Sequence, residues 1–155
     1  PGRIVAGGTP SFPVHALREG VDCSPGTLLL WDYKSSETYT DMKFLHAAVL
    51  LTRVISKPAA DLICIDLGHK AVAAEMANPR ISIMGIKNFS VMNHSEEHMV
   101  IRTDEAASIR TGDHLYCIPV HICPTVDRHD FVTVVRENFA EAQWSVEARK
   151  RKITI

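Results

Sequence analysis

The chain has 155 residues, 46% of them hydrophobic, which is enough to bury one core and form one domain or one domain with an appendage. This composition excludes a disordered or fibrous protein. With 17 basic and 18 acidic residues the formal net charge is -1, so there is no electrostatic reason to expect nucleic acid or an anionic membrane as a partner.

The sequence predicts neither a membrane span nor a signal peptide. Its apolar runs are far shorter than the roughly 20 residues of a membrane-spanning helix, and its first residues lack the layout of a signal peptide. The four cysteines show no secreted-scaffold spacing: Cys23, Cys64, Cys117 and Cys123. We therefore expect a cytoplasmic protein with reduced thiols. Because "PGRIVAGGTP" opens the chain without an initiator methionine, we also expect a piece of a longer protein.

The first 45 residues predict a strand, a loop and a linker. Turn formers interrupt the chain from Gly7 to Lys43, "TLLLWDY" predicts a buried strand, and the segment after Ser36 predicts a short helix capped by that serine. From about His46 to Ile155 the pattern predicts a mainly β, antiparallel domain. Its strand runs are "AAVLLTRVIS", "DLICIDLG", "RISIMGI", "HMVIRT", "HLYCIPV" and "FVTVVRE". Only the segment from His69 to Ala77 predicts a helical turn or two.

The stretch "YCIPVHICPTVDRHD" carries the first candidate site. In an extended segment His121 and Cys123 point to one face, and Pro119 and Pro124 stop the strand on either side. An imidazole nitrogen and a thiolate are ligands that zinc prefers, and two protein ligands leave positions open for water or substrate. A buried cysteine beside a hydrogen-bonded histidine is the competing interpretation, since the four-ligand spacing of structural zinc sites is missing.

Three further clusters have a functional and a structural interpretation each. In "HSEEH", Glu96 and His98 are candidates for a general acid or base or for a carboxylate that orients a metal-bound imidazole, or they belong to a solvated turn. In "IVAGGTP", Gly7, Gly8 and Thr9 suit a phosphate because glycine lets the main chain approach an anion, or they form a plain turn. We interpret "DLGHKAVAAE" as structural, because nothing around Lys70 predicts the burial that a Schiff-base lysine needs.

Together, "AGGTPSFP", "DCSPGTLLLWD", "VISKPAADLICIDLGHKAVAAE", "HSEEH" and "GDHLYCIPVHICPTVDRHD" resemble the C-terminal part of the D-threonine aldolase and D-serine dehydratase family. The resemblance covers nearly the whole chain in order. It implies an alanine-racemase-like layout (fold type III), in which a (β/α)8-type barrel that holds pyridoxal phosphate is followed by a β domain. Residues 1–45 would then be the tail end of the barrel and a linker, and residues 46–155 the metal-binding β domain.

The resemblance also implies site residues and chemistry. Gly7, Gly8 and Thr9 match the family's phosphate-binding loop, and His121 and Cys123 match its metal ligands. Pyridoxal phosphate accepts the electrons released at Cα, and the metal acts on the β-hydroxyl as a Lewis acid. Loss of that hydroxyl dehydrates a D-serine-like substrate, whereas cleavage of Cα–Cβ is the aldolase reaction. The Cys123 thiolate favours zinc as the metal, and a His and Cys pair of ligands mildly favours the dehydratase over the aldolase reaction.

The family's Schiff-base lysine belongs upstream of everything matched here, and a barrel of about 250 residues cannot fit in this chain. We therefore expect the chain alone to be inactive and to pair with an N-terminal barrel segment. The family layout further implies a homodimer and a small D-hydroxy amino acid as substrate. Two alternatives remain: a noncatalytic β domain used for dimerisation or interaction, and a small-molecule binder that uses the loop from Gly7 to Thr9.

Overall fold

The computed structural model describes residues 2–150 and 152. It begins with a small sheet in which β1 (Ile4–Gly7) pairs in parallel with β2 (Val21–Ser24), and the connection contains α1 (Phe12–His15). A parallel pair joined through a helix is the local arrangement that barrel folds repeat. The division of the chain between residues 45 and 46 stays a prediction.

The linker does not contain the predicted strand. "TLLLWDY" forms a 3-10 turn at Thr27–Leu29 and then leads into α2 (Tyr33–Thr38), so that prediction is wrong. Trp31 interrupts any extended path because its φ is 52°, and its fully buried ring packs edge-on against Phe44 with the ring centroids 5.2 Å apart. The predicted cap at Ser36 is also wrong, since Asp32 caps α2 by accepting a hydrogen bond from the Ser35 backbone N–H at 2.8 Å.

A six-stranded sheet makes up most of the molecule. Every pair of neighbours is antiparallel, in the order β5-β8-β3-β4-β7-β6. The strands are β3 (Leu50–Ala59), β4 (Leu62–Ile65), β5 (Ile81–Ile83), β6 (Phe89–His94), β7 (Met99–Thr103) and β8 (His114–Pro119). The β3 strand is long because its first half pairs with β8 and its second half with β4.

The core lies against one face of this sheet. In β4 the buried residues are Ile63 and Ile65, and in β7 they are Met99 and Ile101, each pair separated by a partly exposed residue. Alternation with period two is what a sheet with one buried face requires. The same cluster includes Val54, Leu67, Val72, Ile81, Ile83, Ile86, Ala106, Ile109 and Cys117.

After the sheet come α3 (Ile122–Val126) and a hairpin of β9 (Phe131–Arg136) and β10 (Phe139–Ser145). The two-residue turn between the strands has positive φ at both Glu137 (49°) and Asn138 (68°), as a type I′ hairpin turn requires. Short 3-10 turns lie at Asp104–Ser108 and Glu147–Lys150. Within residues 2–150 and 152, no helix has the length and apolar character needed to cross a membrane.

The mainly β, antiparallel prediction is confirmed, and each of the six predicted strand runs contains a strand. The prediction missed β2, β6 and β10, because "VDCS", "FSVMNH" and "FAEAQWS" carry too many polar residues to stand out. Of the helical turn or two predicted from His69 to Ala77, only the first forms. The backbone N–H groups of His69 and Lys70 donate to Ser95 and Glu96 in another segment, so only one turn around Gly68 forms.

Candidate active site

His121 and Cys123 lie where β8 ends and α3 begins. Pro119 is the last residue of β8, His121 is the N-cap of α3, and Cys123 lies in the first turn of that helix. Between them Ile122 is buried in the interior, while the Cys123 side chain is exposed and His121 is half-buried. The two candidate ligands therefore flank a buried residue, and His121 lines one cleft while Cys123 lines another.

The extended segment predicted to include His121 and Cys123 is wrong, because two buried side chains hold the backbone in a helical turn. The Ile122 N–H donates to Asp32 Oδ2 at 3.0 Å, and Thr125 Oγ1 donates to the His121 carbonyl at 2.7 Å. Pro124 is tolerated because it lies in the first turn, where its missing N–H would have no helical partner. The hydrogen bond from Asp32 to Ile122 attaches this turn to the cap of α2.

Two clefts open at this junction and share Thr27. The first, of about 160 Å³, contains His121 and is otherwise lined by the polar residues Thr27, Asp32, Lys34, Ser35, Thr38 and Tyr39. The second, of about 390 Å³, is lined by Gly8, Thr9, Gly26, Thr27, Leu30, Ile122, Cys123 and Val126. The Cys123 Sγ lies 3.5 Å from Thr27 Oγ1. The structure thus brings the candidate metal ligands and two of the candidate phosphate-loop residues to neighbouring clefts.

The Gly-Gly-Thr loop has the features of an anion cradle. Gly8 adopts a φ of 91°, which side chains other than glycine rarely tolerate, and the loop turns immediately after β1. Thr9 is buried, and its Oγ1 finds no hydrogen-bond partner in the part of the chain that the structure describes. A buried hydroxyl at the wall of a cleft without a partner fits an oxygen-rich ligand such as a phosphate group.

The donor set also fits a borderline-soft metal ion. His121 Nδ1 forms a hydrogen bond with Glu75 Oε1 at 2.6 Å, so Nε2 is the ring nitrogen that can ligate a metal. Cys123 supplies a sulfur ligand. Within residues 2–150 and 152, no set of three or more His, Cys, Asp or Glu side chains comes together to hold a metal. An ion here would therefore complete its coordination with groups outside the described residues, as the open position of a catalytic site does.

Sequence reasoning missed Glu75, Asp32 and Thr125 as residues that build this site. Glu75 falls in the segment that we interpreted as structural, and it lies 46 residues from His121 along the chain. Burial raises the pKa of Glu75, but its own backbone N–H and the His121 imidazole outweigh this effect, so the pKa of that carboxyl lies below its usual value.

Glu96 and His98 line neither of these clefts. Glu96 is exposed and its Oε2 lies 3.3 Å from Lys70 Nζ, while the His98 carbonyl accepts a hydrogen bond from the Ser95 N–H within the same turn. The turn packs on Gly68, where a Cβ atom would lie 2.0 Å from the Glu96 carbonyl oxygen. A catalytic role for Glu96 and His98 stays a prediction, and their contacts here are those of a structural turn.

Lys70 has the surroundings of a surface cation. Hydrogen bonds to Glu97 and Glu96 raise its pKa above the usual value. A Schiff-base lysine needs the opposite shift, so these surroundings agree with the structural interpretation of "DLGHKAVAAE".

Comparison with known families and curated proteins gives consistent matches. The family described as "Putative serine dehydratase domain" matches residues 47–135. The D-threonine aldolase of Arthrobacter sp is 33% identical over 119 residues, which are 76% of this chain and 31% of that protein. The 3-hydroxy-D-aspartate aldolase of Paracoccus denitrificans is 31% identical over 104 residues, which are 67% of this chain and 26% of that protein. The matched part thus spans about a third or less of these relatives.

Solved structures show the same fold. The D-threonine aldolase from Filomicrobium marinum superposes with a TM-score of 0.82 at 23% identity, over 94% of this chain and 41% of that one. An alanine racemase-like protein from Idiomarina loihiensis superposes with a TM-score of 0.74 at 20% identity, over 92% of this chain and 43% of that one. The D-threo-3-hydroxyaspartate dehydratase from Delftia sp. HT23 superposes with a TM-score of 0.73 at 16% identity, over 94% of this chain and 44% of that one.

Proposed function

Because the chain belongs to the "Putative serine dehydratase domain" family, we propose that it is the metal-binding portion of a pyridoxal phosphate-dependent lyase acting on D-3-hydroxy amino acids. The assignment to the D-threonine aldolase and D-serine dehydratase family is confirmed by the family match and the aldolase relatives. One observation carries the proposed chemistry. His121 lines one cleft, Gly8, Thr9 and Cys123 line the neighbouring cleft, and the two clefts share Thr27.

Each group has a task in this proposal. Gly8 offers close main-chain approach and Thr9 a hydroxyl to the cofactor phosphate, and Gly7 completes that loop. His121 Nε2 and Cys123 Sγ hold the divalent metal, which we take to be zinc because thiolate is a soft ligand. Leu30, Ile122 and Val126 give the cleft beside Thr9 an apolar wall. When bound, pyridoxal phosphate withdraws electrons from the substrate Cα and the metal polarises the β-hydroxyl.

Two outcomes are compatible with these residues. Aldol cleavage yields glycine and an aldehyde, whereas dehydration yields a keto acid and ammonia. The curated relatives are aldolases, and one solved relative is a dehydratase. We therefore propose both aldol cleavage and dehydration as candidate reactions of the enzyme to which this chain contributes. The cytoplasm is the proposed location, since the cysteines lack the spacing of a secreted scaffold.

We propose two partners. The matched part covers about a third or less of the curated relatives, and we propose that a barrel-forming segment upstream of it supplies the Schiff-base lysine. A second copy of the chain is the other partner, as the alanine-racemase-like layout implies. Exposed apolar side chains support each partner, since Val5 and Leu17 in the barrel-like start suit the upstream segment and Phe139 and Trp144 in the hairpin suit the second copy, and all four are more than half exposed.

A zinc and thiol experiment tests the metal site. Alkylation of the folded chain, mapped by peptide mass, should modify exposed Cys123 readily and leave Cys117 intact, because burial raises the pKa of Cys117 to about 12. One equivalent of zinc should protect Cys123, and the double variant His121→Ala, Cys123→Ala should bind no zinc. Alkylation of Cys123 at the same rate with and without zinc would count against the metal site.

A complementation experiment tests the lyase. Mixing the chain with the upstream segment of the Arthrobacter D-threonine aldolase should restore cleavage or dehydration of D-3-hydroxy amino acids, with no reaction of the L enantiomers. Thr9→Val in the chain should raise the pyridoxal phosphate concentration needed for half-maximal activity, because it replaces the hydroxyl by a methyl group of similar size. Full activity with the double variant His121→Ala, Cys123→Ala would contradict the proposal.

A further inference from the structure

Glu75 makes a direct contact with the candidate metal ligand. Its Oε1 lies 2.6 Å from His121 Nδ1, which is the distance of a strong charge-assisted hydrogen bond. An ionised carboxylate can only accept, so the proton of the ring must lie on Nδ1. The lone pair of a neutral imidazole is then on Nε2, which is the form that can ligate a metal through that atom.

The backbone on both sides of this contact is already held by other groups. Thr125 Oγ1 donates to the His121 carbonyl at 2.7 Å and accepts from the Ala73 N–H at 3.2 Å. His129 Nε2 lies 2.9 Å from the Ala71 carbonyl oxygen. These buried and half-buried contacts bring the segment that carries Glu75 next to the start of α3. The remaining freedom at His121 is rotation of its side chain, and among the described residues Glu75 is the hydrogen-bond partner of the ring.

We propose that Glu75 is a positioning residue that holds the His121 imidazole with its proton on Nδ1 and with Nε2 free for the metal. The inference rests on the proposed metal role of His121. A carboxylate that accepts from the non-ligating nitrogen fixes both the tautomer and the ring orientation, and such partners raise metal affinity by about 10- to 100-fold. Glu75 thus acts through His121 and does not itself bind the metal.

The competing interpretation is an ordinary surface ion pair. The side chains of His121 and Glu75 are 39% and 43% exposed, which is within the range of surface pairs that contribute little. The two interpretations differ in what they predict. A surface pair leaves the tautomer and the metal affinity unchanged when Glu75 is removed, whereas a positioning residue changes both.

The test compares Glu75→Ala and Glu75→Gln with the wild-type chain. Glu97→Ala is the matched control, because it removes an exposed glutamate that pairs with Lys70 in another part of the surface. Zinc titration calorimetry should show affinity about 10- to 100-fold weaker for Glu75→Ala. Glu75→Gln should lie closer to the wild type, since the amide oxygen still accepts from Nδ1–H, and the control should be unchanged. Circular dichroism verifies that all variants are folded.

A second measurement does not depend on zinc. Long-range 15N NMR correlation of the metal-free chain, with His121→Ala used to assign the signal, should show His121 protonated at Nδ1 in the wild type. Glu75→Ala should shift the population toward protonation at Nε2. Zinc binding that is equally tight in Glu75→Ala, or a tautomer that is unchanged, would overturn the positioning role while leaving the metal site intact. Absence of zinc binding by the wild type would instead overturn the proposed metal site, and the tautomer would then decide about Glu75.

Discussion

His94 is the histidine whose environment changes its titration most clearly. Its Nε2 is buried, its ring packs edge-on against His69 with the centroids 4.5 Å apart, and Arg80 Nη1 lies 2.7 Å from its Nδ1. Burial, followed by the charges of His69 and Arg80, lowers the pKa of His94 from 6.5 to about 4. The folded protein therefore keeps this ring neutral well below the pH at which it becomes charged in the unfolded chain.

This shift predicts a pH dependence of stability with a definite sign. Between about pH 6.5 and pH 4 the unfolded chain binds a proton at His94 that the folded chain does not, so the free energy of unfolding falls as the pH falls. The slope is at most about 1.4 kcal/mol per pH unit, and solvent around the partly exposed residue reduces it. Denaturant unfolding of His94→Asn should show a flatter dependence across this window, because Oδ1 of asparagine still accepts from Arg80 without titrating.

His114→Asn is the control for that measurement, since His114 is exposed in β8. Carboxylates also titrate in this pH range, so the quantity to compare is the difference between each variant and the wild type. Equal slopes for His94→Asn and the wild type would show that His94 does not carry the effect.

The turn around Gly68 joins two connections of the sheet, and its contacts explain why only glycine fits. A Cβ atom at Gly68 would lie 2.0 Å from the Glu96 carbonyl oxygen and 2.3 Å from the Glu97 nitrogen, both of them backbone atoms that cannot move aside cheaply. The neighbouring N–H groups of His69 and Lys70 donate to the same loop. The segments containing Gly68 and Glu96 are therefore packed backbone to backbone.

Gly68→Ala should accordingly destabilise the protein by about 2 kcal/mol or more, as expected when a packed site must expand. Gly26→Ala is the matched control, because a Cβ atom at Gly26 would meet no other atom within 4 Å and the φ of -104° suits alanine. Thermal or denaturant unfolding measures both. A Gly68→Ala variant as stable as the Gly26→Ala variant would contradict the close approach.

Strands that carry their own pattern of buried and exposed residues were predictable from the sequence. Turns and helices that depend on contacts with a distant segment were not. The alternation in β4 and β7 is readable because each strand carries its own buried and exposed residues. "TLLLWDY" is equally apolar, yet the positive φ of Trp31 and its packing on Phe44 make it a turn. A run of apolar residues indicates burial, and it does not by itself decide between a strand and a buried turn.

The candidate site shows the same division. The phosphate-loop residues and the pair His121 and Cys123 are predicted from residues close together in the chain and from the family resemblance, and their roles stay predictions. Glu75 was missed as a partner of His121 because 46 residues separate them, and Asp32 was missed because 90 residues separate it from Ile122. Hydrogen bonds between segments so far apart leave no periodic signal in a single sequence.

The distribution of exposed apolar residues bears on how the chain associates. The hairpin of β9 and β10 presents Phe131 at 57%, Val135 at 65%, Phe139 at 74% and Trp144 at 62% exposure. Large aromatic side chains clustered on one short element are typical of protein contacts, because they bury much area at low entropic cost. The six-stranded sheet has its own core, so the hairpin is available for a partner.

We therefore expect the chain to self-associate through this hairpin, in line with the proposed homodimer. Light scattering after size exclusion should show a concentration-dependent mass above 17.2 kDa for the wild type. The double variant Phe139→Ser, Trp144→Ser should weaken association at least about tenfold, which corresponds to about 1.4 kcal/mol. Leu17→Ser is the control, since Leu17 is 86% exposed but lies in the segment between β1 and β2. If the wild type is monomeric at every concentration, or if the double variant associates as the wild type does, the hairpin is not the contact between copies, and its exposed apolar residues are available to the proposed upstream segment.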